Sequence, residues 1–279
     1  MAQGLRKYVE AIPGRPLPYG ILGGCADVRD VDDVHELLGV EWLALGCCPV
    51  RDWVDPCLND ESPGDESPGA PAQKEFCRPQ VEHAEPINVY AGAECSTMGW
   101  TYEEARAHAE ATLALGEQQA VEAAFWRDRL ATEGQDVTPA GPVNIAAGLA
   151  ALEGCLAEQY GGVGTIHVPA GAAALLGCCN LVHEDPATGT LRTLAGNCVV
   201  IGAGYSAMNT GPGNVPADPG TAWLYATGPL VIRRGPAETI PDRNASVNTR
   251  TNDRRVLAER TFVVATTCVT CAAQVELCP

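Results

Sequence analysis

The chain has 279 residues, a formal net charge of −17, 30 glycines, 21 prolines and 13 cysteines. That length supports one or two domains with a real core. The 46% hydrophobic share excludes a disordered chain. An acidic excess with only two lysines, Lys7 and Lys74, disfavours sequence-independent binding to nucleic acid, which needs cations to neutralise phosphate. Residues 221–279 carry 7 basic and 5 acidic side chains, against 7 and 17 in residues 1–100. The asymmetry suits contact between the tail region of one copy and the acidic part of another, and equally a solvated face.

Residues 1–29 read as an arm, because Pro13, Pro16 and Pro18 forbid helix and apolar residues are few. Met1–Gly20 lacks the apolar stretch of a signal peptide. The cysteines are therefore expected to be free thiols in a reducing cytosol, acting as small core residues. Asp30 to Gly39 predicts a short helix capped by Asp30, with Val31, Val34, Leu37 and Leu38 on one face. Two extended limbs follow, Glu41–Val54 and Phe76–Tyr90. The tandem pentapeptide Asp60–Gly64 and Asp65–Gly69 lies at the polar tip between them.

Ile87–Ala91 reads as a strand that turns through Gly92–Gly99 into the longest helix signal of the chain. Thr101 and Glu104 form a capping box. From Glu103 to Leu130 there is no proline, and Ala105, Ala109, Leu113, Ala120, Val121 and Ala124 recur at helical steps. Glu103, Arg106, Glu110, Glu117 and Arg127 are left for the wet side. Such a helix is about 40 Å long, more than one compact domain needs, so it spans a domain or leans on a neighbour.

Beyond a linker at 131–141, Pro142 at a first helical position opens a second helix through Tyr160, with Ile145, Leu149, Leu152 and Leu156 on one face and Gly161-Gly162 as the stop. Thr165–Val168 reads as a buried strand, 181–194 as a hairpin, 197–203 as a strand and 204–220 as a loop. Ala222–Arg234, Val256–Thr266 and Val269–Leu277 make the end of the chain β. Strand signals on both sides of the helices favour one interleaved α+β unit.

No reactive motif emerges. Phosphate cradles are missing, and Gly202-Ala203-Gly204 lacks a third glycine and a following helix. Gly-x-Ser-x-Gly is absent. Cys268 and Cys271 form the single Cys-x-x-Cys, short of the two pairs a zinc site needs, and on a strand they point to opposite faces. Cys47-Cys48 and Cys178-Cys179 are spaced poorly for chelation and for ordinary disulfides. His35, His83, His108, His167 and His183 lack metal-ligand spacing and read as structural. No catalytic, cofactor-binding or metal-binding residue is assigned, no cofactor is implied, and no apolar run spans a membrane.

Pro86–Cys95 running into Ala114–Glu122 and Trp126, together with Asp253–Arg260 before the terminal strands, resembles the major capsid proteins of tailed bacteriophages with the Hong-Kong-97-type fold, of the sort found in actinobacteriophages. The resemblance implies an α+β chain with an N-terminal arm (1–29), an extended β-hairpin loop (45–90) lying over an adjacent subunit, and a peripheral domain (30–44, 91–141 and 226–279) containing a spine helix (101–130). An axial domain (142–225) would sit around the capsomer centre. It also implies self-assembly into pentamers and hexamers of an icosahedral shell enclosing double-stranded DNA, with scaffolding, portal and decoration proteins as further partners. The site would be the virion, assembled in the host bacterial cytoplasm, and the protein would be no enzyme. Some family members cross-link a loop lysine to a neighbour's asparagine; Lys74 is the sole candidate donor here, and no partner residue matches. An encapsulin-type compartment shell is the alternative on the same fold, and a thiol- or metal-dependent cytosolic enzyme using Cys268 and Cys271 the alternative from another class. Deleting residues 59–70 is expected to leave a soluble, cooperatively folding monomer, and a lost unfolding transition in circular dichroism would contradict the loop assignment.

Overall fold

The computed structural model describes residues 12–52 and 74–277; the tandem pentapeptide lies outside them. In chain order the first elements are β1 (Asp27–Asp30), helical turn α1 (Val34–Leu37), β2 (Val40–Leu43), β3 (Val81–Ala84) and β4 (Pro86–Ser96). The long helix α2 (Tyr102–Phe125) passes through a π-helical stretch, Trp126–Leu130, into α3 (Ala131–Glu133), followed by β5 (Gln135–Asp136) and α4 (Ile145–Gln159). Next come β6 (Thr165–Pro169), α5 (Ala173–Cys178), β7 (Val182–Glu184), β8 (Leu191–Thr193), β9 (Cys198–Gly202), α6 (Ala203–Met208), β10 (Thr210–Gly211) and β11 (Val215–Pro216). The chain ends with β12 (Thr221–Thr227), β13 (Val231–Arg234), β14 (Glu238–Ile240), β15 (Val247–Asn248), β16 (Asp253–Ala265) and β17 (Thr270–Glu276).

The strand β16 organises the first sheet. It runs antiparallel to β4 from Asp253↔Ser96 to Val263↔Pro86, and β13, β14 and β15 pair along its other edge. Strand β1 adds to β13 in parallel. The arm therefore ends inside the body, with Ile21 fully buried. Helix α2 lies on this sheet through Ala105, Ala109, Leu113 and Val121. Its capping box is present as read: the Thr101 hydroxyl accepts from the Glu104 N–H at 3.2 Å, and the Glu104 carboxylate accepts from the Thr101 N–H at 2.7 Å.

The second sheet has the order β5-β17-β12-β6-β9-β8-β7. Along its central strands the side chains alternate between two cores. Ile166, Leu224, Cys271 and Val275 pack with Ile145, Leu149, Leu152 and Leu156 of α4. His167, Tyr225 and Ala272 point to the opposite face, among Phe125, Trp126 and Leu130. This sheet is covered by helix on both sides, which explains its near-continuous apolar runs.

Several local expectations change. Asp30 is in β1, paired with Arg234, and Asp33 caps the single turn α1, whose Val34 and Leu38 are exposed. Strand β4 continues to Ser96, because an eleven-residue ladder with β16 outweighs the glycine at 92. Ala120 is exposed and Glu117 buried, since Arg260 on β16 supplies the carboxylate with a partner. Asn144, accepting from the Ala147 N–H, caps α4 in place of the Pro142 start. The single strand expected over 222–234 is two strands in different sheets, divided at Gly228-Pro229. A helix, α6, follows Gly202 after all.

That helix packs at backbone distance against α2: a Cβ at Gly204 would fall on Gln119 and Ala123 main-chain atoms. Gly204→Ala is expected to cost about 1–3 kcal/mol, read as a lower midpoint in urea unfolding at unchanged slope; an unchanged midpoint would refute the close packing.

Candidate functional site: the arm latch and the hairpin

On the inner side of α2, Glu122 is fully buried. Its carboxylate accepts the Ile21 N–H at 3.0 Å and the Gly204 N–H at 2.9 Å. One turn earlier the Gln118 amide donates to Leu17 O at 2.9 Å, and the Ile201 N–H of β9 donates to Tyr19 O at 2.7 Å. The arm is thus latched between α2 and β9. Gly20 is required here because a Cβ would strike the Gln118 and Glu122 side chains. Burial pushes the Glu122 carboxyl up to about 7, against the pull of the Gly204, Ile21 and Ala203 amides toward the ionised form.

A second polar group lies deeper. His167 is fully buried, with Nδ1 3.0 Å from the Tyr205 hydroxyl and Nε2 2.9 Å from Thr227 Oγ1. Burial lowers it to about 3, so it is neutral. Trp126 lies tilted at 5.1 Å against Tyr205 and edge-on at 4.7 Å to Tyr225, and its indole N–H donates to Thr210 O. Glu122, Tyr205 and His167 form a constellation that reads as acid–base chemistry on paper. His167 and Tyr205 are fully enclosed, and their hydrogen bonds tie α6 to β6 and β12 of the second sheet.

Like the short β10–β11 pair, the hairpin β2–β3 stands outside the two large sheets. Val40↔Ala84 to Leu43↔Val81 pair antiparallel in a sheet of two strands only. Leu45, Val50 and Phe76 are more than four-fifths exposed, and Leu43 and Val81 more than half. A groove of about 290 Å³ separates Val40, Trp42 and Leu45 from Val231, Ala265 and Thr267 of the body. The hairpin is tied down by Glu82, which meets Arg129 of the π-helical stretch at 2.7 Å with both side chains largely buried. Arg129 reaches Thr267 O with the same nitrogen.

The expectation of free thiols is corrected. Cys25–Cys198, Cys47–Cys268, Cys48–Cys77 and Cys155–Cys271 are disulfides, with Cα atoms 5.7–6.5 Å apart, inside the normal bridging range. Their partners are 29 to 221 residues apart in sequence, so no spacing announces them. Cys268 and Cys271 belong to two different bridges, which removes the thiol site of the enzyme reading. Among the described residues Cys95, Cys178 and Cys179 are unpaired, and no cluster of three or more His, Cys, Asp or Glu is arranged to hold a metal. No helix among them is long and apolar enough to cross a membrane. The latch was missed in the sequence, though a signal existed: Glu117, Gln118 and Glu122 interrupt the apolar face of α2.

No known family model and no curated protein sequence matches the chain. Solved structures do. The capsid of a native GTA particle superimposes with a TM-score of 0.55 at 14% identity, covering 97% of this chain and 95% of that one. The mature capsid of bacteriophage PhiM1 gives 0.50 at 14% identity over 99% and 93%. A chain of Mycobacterium phage Che8 gives 0.52 at 11% identity over 98% of both. The fold is that of a phage capsid protein. At such identities the likeness is one of fold, and it extends over the whole capsid chain rather than a shared subdomain.

Glu122 predicts how the capsid fold responds to pH. Its folded value near 7 lies above the ordinary carboxyl value of 4.5, so between these the native state holds the extra proton. The stabilisation is full below about pH 4.5 and is lost as pH rises through 7, amounting to ~3 kcal/mol for this group alone. Denaturant midpoints from pH 5 to 8 should fall with pH in the parent chain and fall less in Glu122→Gln; parallel curves would refute the assignment.

Proposed function

We propose that this chain is a major capsid protein that self-assembles into pentamers and hexamers of an icosahedral phage head enclosing double-stranded DNA. The observation that carries the reading is the near-complete mutual coverage with capsid chains, 97% and 95% for the native GTA particle. The exposed apolar hairpin supports it, since large hydrophobic residues gathered on one protrusion mark an interaction surface.

In this reading residues 1–29 are the arm, 45–90 the extended loop over a neighbour, and 101–130 the spine helix. The sheet around β16 with α2 forms the peripheral domain (30–44, 91–141 and much of 226–279). The axial domain (142–225) is built on the second sheet, to which β17 also contributes. The exposed Glu103 and Arg106 of α2 face other chains. Contacts that are individually modest add through closed symmetry. The acidic balance keeps the wall from adhering to the genome. Assembly takes place in the host cytoplasm and the product is the virion shell, with scaffolding, portal and decoration proteins as partners; the chain has no catalytic role.

Electron microscopy of the expressed protein should show closed shells. Nucleic acid inside purified particles supports the phage head, whereas packaged enzyme would convert the reading to an encapsulin-type compartment. Changing Leu43 and Leu45 together to Asp should leave the monomer's melting temperature within a few degrees, because both side chains are exposed, yet abolish shells in the micrographs. Normal shells from that variant would overturn the hairpin's role.

A further inference from the structure

The four disulfides among the described residues differ in access. Cys155–Cys271 is buried on both sides, and Cys25–Cys198 is anchored at the buried Cys198. At the root of the hairpin, by contrast, Cys77 is exposed and Cys47, Cys48 and Cys268 are partly exposed. The adjacent residues Cys47 and Cys48 are each bonded to a different element: Cys47 to Cys268 in the β16–β17 connection, Cys48 to Cys77 across the two limbs. The groove between hairpin and body is lined by Leu45 and Thr267, close in sequence to Cys47 and Cys268. The limbs enter and leave through Gly39, with φ +123°, and Pro86, and β2 and β3 pair with no strand of the body.

We propose that the hairpin root is a thiol–disulfide exchange site, and that its redox state sets whether the hairpin is fixed on the body or free to pivot at Gly39 and Glu85-Pro86. The co-reactant class is a low-molecular-weight thiol and its disulfide. In reduction, a small thiolate attacks one sulfur of the protein disulfide, giving a mixed disulfide and a protein thiolate that takes up a proton. A second small thiolate attacks the mixed disulfide, releasing the small-molecule disulfide and the second protein thiol. Each bridge gains two electrons and two protons, and oxidation by the small disulfide is the reverse. Accessible sulfurs exchange first, so the root opens while Cys155–Cys271 persists. With Cys47–Cys268 open, the Arg129–Glu82 pair and the packing around Ala44 are left to hold the lever. That the pivot adjusts reach toward a neighbouring subunit rests on the capsid reading; the pivot itself does not.

The test uses the full, unassembled chain, so its outcome is independent of whether shells form. After brief treatment with millimolar dithiothreitol and alkylation, peptide mass spectrometry should find Cys47, Cys48, Cys77 and Cys268 labelled and Cys155 and Cys271 protected. Amide hydrogen exchange at 40–43 and 81–84 should then accelerate at least ten-fold, with 86–96 and 253–265 unchanged. A variant with serine at positions 47, 48, 77 and 268 should show the fast hairpin exchange without reductant. Equal labelling of Cys155 and Cys271, hairpin exchange that does not change, or acceleration shared by β4 and β16 would each overturn the proposal. If the serine variant does not fold, mild reduction of the parent chain decides alone.

Discussion

The buried carboxylate of Glu122 is the constraint on which the remaining geometry depends. A carboxylate removed from water is costly unless its lone pairs are filled. Here they are filled by two main-chain amides that have no ladder partner: Ile21, in the turn of a proline-rich arm, and Gly204, in the first turn of α6. Amides at a helix start lack an intrahelical acceptor, and α2 supplies one. The arm, the long helix and α6 must therefore be in place together. Both close approaches need glycine, Gly20 on one side and Gly204 on the other.

From this latch the two sheets acquire a common wall. The π-helical stretch after Phe125 buries both Trp126 and Leu130 while Arg129 reaches out to Glu82. Trp126, Tyr205, Tyr225 and His167 then fill the space between sheets, each polar tip satisfied by a neighbour. Large aromatics are few in this chain, and the fold concentrates four of its aromatic or imidazole rings where two layers meet. Elsewhere the core is mostly aliphatic, alanine and valine interleaving with larger side chains such as Leu152, Leu156, Ile166 and Leu224.

The body completes itself and the hairpin does not. Among the described residues its strands pair with each other, Leu43, Val81 and Phe76 are exposed, and Glu82–Arg129 and Cys47–Cys268 tie it to the body, while Cys48–Cys77 joins its own two limbs. An exposed apolar element of this kind suits the proposed contact between copies, and it stands opposite in character to the inward-facing latch.

Local order was legible in the residues themselves. The capping box at Thr101 and Glu104, the apolar stripe of α4 from Ile145 to Leu156, the buried strand at Thr165–Val168 and the hairpin at 181–194 all stand where periodicity and turn chemistry put them. These signals lie within a few residues of one another, so the sequence alone determined them. Tertiary structure decided what depends on partners far away in the chain. Glu117 is inside because Arg260 meets it from 143 residues on, and residues 222–234 divide because two sheets compete for them. Cys47 and Cys48 separate into two bridges because their partners come from different elements, Cys268 from the β16–β17 connection and Cys77 from the returning limb. The long helix was visible at once as a helix; which of its polar residues would be buried, and that one of them would latch the arm, required the folded chain, since burial of a charge is set by the donors that converge on it.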